Sequence, residues 1–433
     1  MQNELTESVQ ASIRPGEMRD LMYPGETNVC KQAYPSVVNT RFIQQFTNLG
    51  AGSSQFVISP SGGVSDIILQ MATPLQGAGG TSYANAALPT GWGYALINRV
   101  SVRYGSSAQY FWSGMQIYLQ NVLDAETDSK ATTIAQQGGA ALAGVNAPTG
   151  SPAGCSGATA FVYLKLPHNS CRASGKPLPF PSDLLVQPIV VTVELFSLQS
   201  IIVNQAAAAV LTTAPTALAS ASLQVKQEML TDSSDQLARR VDMNSHALTF
   251  PLPYFCQQET QIAIGAAGEQ SVNLTGFRAG EVKQIVLWFS PNSVGGQGNA
   301  NTPGSGNYQP LAWAQMTELE LTYNGEVFNR FQSGSSTLWN LVEDQKSAGV
   351  SGLTIQNAAT SGVVAQVVQT YVKLDFAQVS VPWDRESLLV HGKPILNAIV
   401  QLKFTAPAAG ILHAMYLYNA SLLCSRGSAE YIF

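Results

Sequence analysis

Acidic side chains alternate in Asp124-Ala-Glu126-Thr-Asp128, a spacing at which carboxylate oxygens can gather round a hard cation. The segment has no glycine at its sixth place and no glutamate at its twelfth, so the frame of a calcium hand is missing and a solvated acidic turn is the plainer reading. Calcium held between subunits stays open as the alternative. Histidines His168, His246, His391 and His413 stand apart, with no HExxH pattern and no Cys/His cluster for zinc, and read as ordinary polar positions. Cys30, Cys155, Cys171, Cys256 and Cys424 are an odd number without a CxxC pair, as expected of reduced thiols in a cytosolic protein. Nucleophile-elbow, phosphate-loop and dinucleotide-loop patterns are all missing. A glycoside-cleaving site would need two carboxylates across an aromatic-lined cleft, and Glu318, Glu320 and Asp375 are where such a pair would be sought. With only 11% charged residues the chain has few groups from which to build a catalytic constellation, so we expect no catalytic residue, no bound metal and no cofactor.

The elements that would position any such group read as strands. Short β-branched and aromatic stretches separated by Gly, Pro, Asn and Ser recur from about Thr40 to the end, the signature of sandwiches or barrels. Gln55–Ser59, Val64–Met71, Ile97–Tyr104, Met115–Val122, Ala160–Leu166 and Ile189–Val203 are expected strands of the first half. Val282–Ser290, Met316–Tyr323, Val363–Phe376, Ala398–Phe404 and Ile411–Leu423 are expected strands of the second. Two short helices are expected, Asn204–Leu211 and Ser336–Lys346, the latter with Leu338, Leu341 and Val342 on one face. Asn324-Gly325 lies between Leu319–Tyr323 and Val327-Phe328, where a primed turn needs positive φ. Gly-rich loops span Leu75–Trp92, Ala125–Gly157 and Pro291–Pro310.

A chain of 433 residues is long for one core and comfortable for two. Charge concentrates between Leu230 and His246, at Asp232, Asp235, Arg239, Arg240 and Asp242, which reads as a solvated linker with a boundary near Asn244. The expected layout is an N-terminal arm over residues 1–39, a first sandwich over 40–243 and a second over 244–433. Low charge with 45% hydrophobic residues describes a surface made to pack against other surfaces. The net charge is -5, and the first 39 residues hold Arg14, Arg19 and Lys31 against Glu4, Glu7, Glu17, Asp20 and Glu26, so no basic arm for nucleic acid is expected. No signal peptide is expected either, and the sequons at Asn273 and Asn419 then match by chance. The most apolar stretch, Leu184–Val203, is broken by Pro188, Glu194 and Gln199, so a soluble chain without a membrane-spanning helix is expected.

Several ordered segments carry a family resemblance. Gly175-Lys-Pro177-Leu178-Pro179-Phe180 runs on to an apolar strand at Ile189, and Ser222–Asp232 is followed by Arg239-Arg240. Glu281–Phe289 is a Val-Lys run before an aromatic strand, and Leu319–Phe331 holds Asn324-Gly325 and Arg330-Phe331. The closing stretch holds Asn419 and Gly427 and ends in an aromatic residue. Together they resemble the double jelly-roll major capsid proteins of nucleocytoplasmic large DNA viruses, virophages and polinton-like viruses, over about residues 160–433. The resemblance implies an all-β chain of two tandem eight-stranded jelly rolls with a few short helices. It further implies a structural, non-enzymatic protein, three copies of which form a pseudo-hexagonal capsomer that tiles an icosahedral double-stranded DNA virus shell.

Pro177, Leu178, Pro179, Phe180, Asn324, Gly325, Arg330, Phe331, Asn419 and Gly427 would then be turn and motif positions and not a binding site. The implied partners are the chain itself, neighbouring capsomers, and penton and minor cement proteins, with an internal viral membrane compatible but not spanned. The implied location is the virion capsid, assembled in host cytoplasm, with the arm running beneath the capsomer or clasping a neighbour. Two other readings stay open: a vertex or receptor- and sugar-binding sandwich of a virion, and a polysaccharide-degrading enzyme on a sandwich scaffold.

Overall fold

Strands in each half of the chain pair as a nest, first with last and inward from there. The computed structural model describes residues 36–45, 49–60, 62–74, 86–87, 91–123, 159–166, 180–182, 185–201, 203–204, 217–230, 248–256, 259–275, 281–291, 313–314, 316–323, 325–330, 371–375, 393–394 and 400–432. In the first half β1 (Ser36–Gln45) pairs with β10 (Ser220–Leu230), and β2 (Gly52–Ile58) with β8 (Ile189–Leu195). Inside these, β3 (Gly63–Pro74) pairs with β6 (Thr159–Lys165), and β5 (Ile97–Tyr104) is bridged to Trp112 at Val100. The second half repeats the scheme. There β11 (Leu248–Cys256) and β12 (Thr260–Ile264) pair with β20 (Gly410–Ser425), and β13 (Gly268–Leu274) with β19 (Val400–Ala406). Innermost are β14 (Glu281–Pro291) with β17 (Tyr371–Asp375), and β15 (Thr317–Tyr323) with β16 (Glu326–Arg330). A long antiparallel ribbon folded over on itself in this way is a jelly roll, and the expected fold of two such rolls in tandem is what the chain adopts.

Each roll divides into two sheets. The first has a five-stranded sheet, β1-β10-β3-β6 with β7 (Phe180–Pro181) on β3, and a three-stranded sheet, β2-β8-β5. The second has a seven-stranded sheet, β11-β20-β14-β17, which also carries β12, β18 (Lys393–Pro394) and β21 (Ser428–Ile432). Its partner is the four-stranded sheet β13-β19-β15-β16. A two-stranded pairing joins β4 (Ala86–Ala87) to β9 (Val203–Asn204). No strand pairing crosses between residues 36–230 and 248–432 among the described residues. The linker expected around Asn244 lies outside those residues, as do the arm before Ser36, the helix expected over Ser336–Lys346 and the acidic turn at Asp124.

Local sequence explains the strands. In β8, Ile189, Val191, Val193 and Leu195 turn inward and the residues between them are half-buried, the period of two that a sheet with one covered face requires. Val400, Leu402, Phe404 and Ala406 do the same in β19.

Three sequence expectations fail, the first at Ile189–Val203, where the strand ends at Leu195 and Leu198–Ser200 form a 3-10 helix. Met115–Val122 is not a strand but lies in a helix, α2 (Gly114–Leu123), with a shorter helix, α1 (Trp92–Leu96), packed beside it. Its start is a capping box: the Ser113 hydroxyl accepts from the Gln116 amide at 3.2 Å, and the Gln116 side chain accepts from the Ser113 amide at 2.8 Å. Met115, Tyr118, Leu119 and Val122 then fall on one helical stripe. Asn204, expected to open a helix, ends the strand β9 instead, and residues 205–211 lie outside the described set.

Candidate functional site

The richest chemistry lies where the two rolls meet. One face of the seven-stranded sheet packs on its own four-stranded sheet through Ile285, Leu287, Phe289, Leu412, Ala414 and Tyr416. The opposite face, with Val286, Trp288, Met415 and Leu417, belongs to the core of the first roll. β14 and β20 therefore bury side chains on both faces, which is why Ile285-Val-Leu-Trp-Phe289 is apolar without alternation.

Roll one meets this face with the end of its innermost ribbon and with α2. The Trp112 indole donates to the Cys256 carbonyl at 2.7 Å, and the Gln116 side chain donates to the Cys256 sulfur at 3.3 Å. Tyr110, Phe255 and Tyr431 form a three-ring cluster with centroids 4.9–5.3 Å apart. Farther along, Tyr118 of α2 touches Trp313 at 6.2 Å, Trp313 lies 5.6 Å from Trp288, and Trp288 stacks on His413 at 4.9 Å with a 4° interplanar angle.

A buried charged group sits at the head of that column. Glu259, between β11 and β12, has a side chain 5% exposed, and His413 has one 3% exposed. The Ser113 hydroxyl donates to Glu259 Oε2 at 2.7 Å, the Gln261 amide donates to Oε1 at 2.9 Å, and His413 Nδ1 also meets Oε1. Burial alone would raise this carboxyl; the bond and charge of His413, with the bonds from Ser113 and Gln261, outweigh it and hold the group below its ordinary range. His413 is thus a buried partner in an ion-pair geometry and not the ordinary polar position expected of it. Burial pushes the Cys424 thiol up to about 12 and raises the Tyr431 phenol, beside Tyr104 and Tyr110, so neither offers a ready nucleophile.

The C-terminal hairpin of β20 and β21 closes the seam. Gly427, with φ +80, accepts from the Val186 amide at 3.0 Å, and a Cβ there would stand 2.3 Å from a Val186 methyl carbon. Ser106 donates to the Ala429 carbonyl at 3.4 Å and accepts from its amide at 3.2 Å.

The other expected motif positions scatter. Phe180 is buried on β7 opposite Val64, 4.7 Å from the Tyr104 ring. Tyr323 pairs with Glu326 around a two-residue turn in which Gly325 has φ +85, and the backbone of Arg330 pairs with Glu320. Asn419 lies opposite Glu281, where the registers of β11 and β14 against β20 both slip. Pro177, Leu178, Pro179, Asn324 and Phe331 lie outside the described residues. Of the carboxylates sought for an enzyme, Glu318 accepts from Thr405 at 2.9 Å and Glu320 lies 3.8 Å from Lys403, while Asp375 belongs to the other sheet. Among the described residues no group of His, Cys, Asp or Glu could hold a metal ion, and no helix is long and apolar enough to cross a membrane.

No family model and no curated protein matches the sequence. Solved structures do match the fold. The chain is similar to that in the quasi-atomic model of the PBCV-1 virus capsid, with TM-score 0.57 and 13% identity over 92% of this chain and 97% of that one. It is similar to the Sputnik virophage structure, with TM-score 0.55 and 13% identity over 92% and 88%. It is also similar to the mavirus major capsid protein, with TM-score 0.52 and 12% identity over 91% and 90%. At such identities the likeness is one of fold, and it spans both rolls.

Proposed function

We propose that this chain is the major capsid protein of an icosahedral double-stranded DNA virus, three copies of which close into a pseudo-hexagonal capsomer. The observation that carries this reading is the asymmetry of the seam. Roll two contributes the outer face of its large sheet, and roll one contributes the end of its β5 ribbon and α2. Like modules that join through unlike surfaces form a head-to-tail contact, and such a contact closes into a ring if it repeats at a suitable angle. Among the described residues, two surfaces of the same kinds are left open: the outer face of the five-stranded sheet in roll one, where Tyr163 is 47% exposed, and the β15–β16 side of roll two, where Val327 is 54% exposed. Repeating the internal contact between chains would use both, and six rolls from three chains would complete the ring.

Structures of similar fold belong to viral capsids, and the surface of roll one suits such a role. Across β3, β6 and β10 its outer face carries a neutral network in which Gln224 donates to Gln70 at 2.7 Å and Gln70 to the Tyr163 hydroxyl at 3.4 Å. Around Gln70 such a face needs little desolvation of charge when a second copy covers it, and the charge it does carry is drawn together in one cluster, Asp66 with Lys165 and Lys226. In this reading the expected arm, ending before Ser36 because β1 begins there, contacts neighbouring capsomers, the two rolls divide near residue 244, and the shell assembles in host cytoplasm with penton and minor cement proteins. Sedimentation with negative-stain imaging tests it. We expect a species of three times the 46.0 kDa chain mass with a hexagonal outline, and a folded monomer from Gln70→Arg. A chain that stays monomeric at every concentration would remove the reading.

A further inference from the structure

Glu259 takes its three donors from three different elements. Ser113 caps α2 of roll one, Gln261 lies on β12 and His413 on β20 of roll two. The pair is also tied to roll one through rings, from His413 to Trp288, Trp313 and Tyr118. The carboxylate thus sits where a hydrogen bond and a stacking column both cross the seam. We propose that Glu259, His413 and Ser113 form an acid-sensitive latch between the two rolls, released when the Glu259 carboxylate takes up a proton.

An ionised carboxylate only accepts, and here every neighbour within reach donates. A proton on Glu259 turns one acceptor oxygen into a donor, so the Ser113 hydroxyl or His413 must reverse its role or turn away, and the charge-assisted bonds are lost at a Glu259–His413 pair whose side chains are 5% and 3% exposed. Other groups facing the site are uncharged at neutral pH: Cys256 on β11, Gln116 on α2, and the indoles of Trp288 and Trp313. Neither α2, β11 nor β12 carries an ionisable side chain other than the Tyr and Cys groups, and His413 is the one such group of β20 that faces Glu259. On β14 the charged residues are Glu281 and Lys283, at the far end, with Lys283 five residues from Trp288 or roughly 17 Å along the strand.

The sign follows from the direction of the shift. The carboxyl is held below its ordinary value of 4.5 in the folded chain, so the latch contributes fully above about that pH and weakens as pH falls through the folded value. Melting curves and indole emission of the full chain from neutral pH to pH ~3 test this, with Glu259→Gln and Ser113→Ala as variants. We expect wild type to lose melting temperature below pH 4.5, with a shift in indole emission that precedes any change in the β circular dichroism signal. Glu259→Gln should melt lower at neutral pH by about 5 °C and converge on wild type in acid. Ser113→Ala keeps the carboxylate but removes one donor, and should move the midpoint of the indole transition to higher pH. A Glu259→Gln offset that stays constant across the pH range overturns the latch, as does an unmoved midpoint in Ser113→Ala.

Discussion

The seven-stranded sheet of roll two and the five-stranded sheet of roll one hold the same place in the nested pairing, yet their inner strands are written differently. From Ile285 to Phe289 every residue of β14 is buried, three toward the four-stranded sheet and two toward roll one. From Asp66 to Met71 in β3, Ile67, Leu69 and Met71 are fully buried, while Asp66, Ile68 and Gln70 lie half-buried between them. Alternation thus marks a sheet face that the chain leaves open, and its loss marks a face the chain covers itself. The rolls also differ at the innermost ribbon. Roll two completes it as a hairpin of β15 and β16, whereas roll one reduces it to the single bridge at Trp112 and turns at once into α2. The helix that replaces a strand in roll one is also what fills the seam.

The comparison is most exposed at its two central positions. Trp288, fully buried on the covered face, should cost about 3–5 kcal/mol on replacement by Ala, because it removes both the transfer energy of the ring and the column from His413 to Tyr118. Gln70→Ala on the open face should stay within about 1 kcal/mol, losing only exchangeable polar contacts. Denaturant unfolding of the two variants measures the contrast. Losses of equal size would mean that the two faces are not different in kind.

A smaller effect separates two turns of similar backbone. Gly325 (φ +85) and Gly427 (φ +80) both need the left-handed region, so alanine at either should cost about 1–2 kcal/mol. Only at Gly427 would the new Cβ meet another segment, the Val186 methyl at 2.3 Å and its backbone nitrogen at 3.3 Å. Gly427→Ala should therefore lose about 1 kcal/mol more than Gly325→Ala. Adding Val186→Ala should recover part of that loss at 427 and none at 325. Thermal unfolding of the four variants gives the coupling between the hairpin and roll one.

Much of this organisation is legible in the sequence, and the exceptions have physical causes. Period-two burial in β8 and β19 is plain in Ile189–Leu195 and Val400–Ala406, and the Asn-Gly turn before β16 lies between apolar runs as such turns must. Strand β14 is equally recognisable, but nothing in its letters tells which neighbour covers its second face. The helix α2 was marked by Ser113-x-x-Gln116 and by an i, i+3, i+4, i+7 stripe, yet Gln116 and Ile117 on its other side are buried too. Burial on both sides narrows the polar face to Gln120 and Asn121, too little to separate it from a strand rich in Ile, Tyr and Val. Glu259 and His413 were invisible for another reason: 154 residues separate them, and each looks ordinary until the fold brings them together. Gly427 stands out in the sequence only as a motif position, and the seam, where a Cβ would meet Val186, explains why that position cannot carry a side chain.

The smallest effect sharpens the meaning of the open face. Asp66 lies 2.9 Å from the Lys165 ammonium and 3.5 Å from that of Lys226, whose side chains are 44% and 43% exposed. Solvent and salt screen such pairs, so Asp66→Asn should cost the isolated chain under about 1 kcal/mol, and less at high salt. Urea unfolding at two salt concentrations checks that figure. If a second copy covers this face, the same lysines are desolvated on assembly, and losing their carboxylate leaves buried charge without a partner. The substitution should then weaken association well beyond its effect on folding. A penalty of equal size in both would place Asp66 outside the contact and leave the outer face of roll one to solvent.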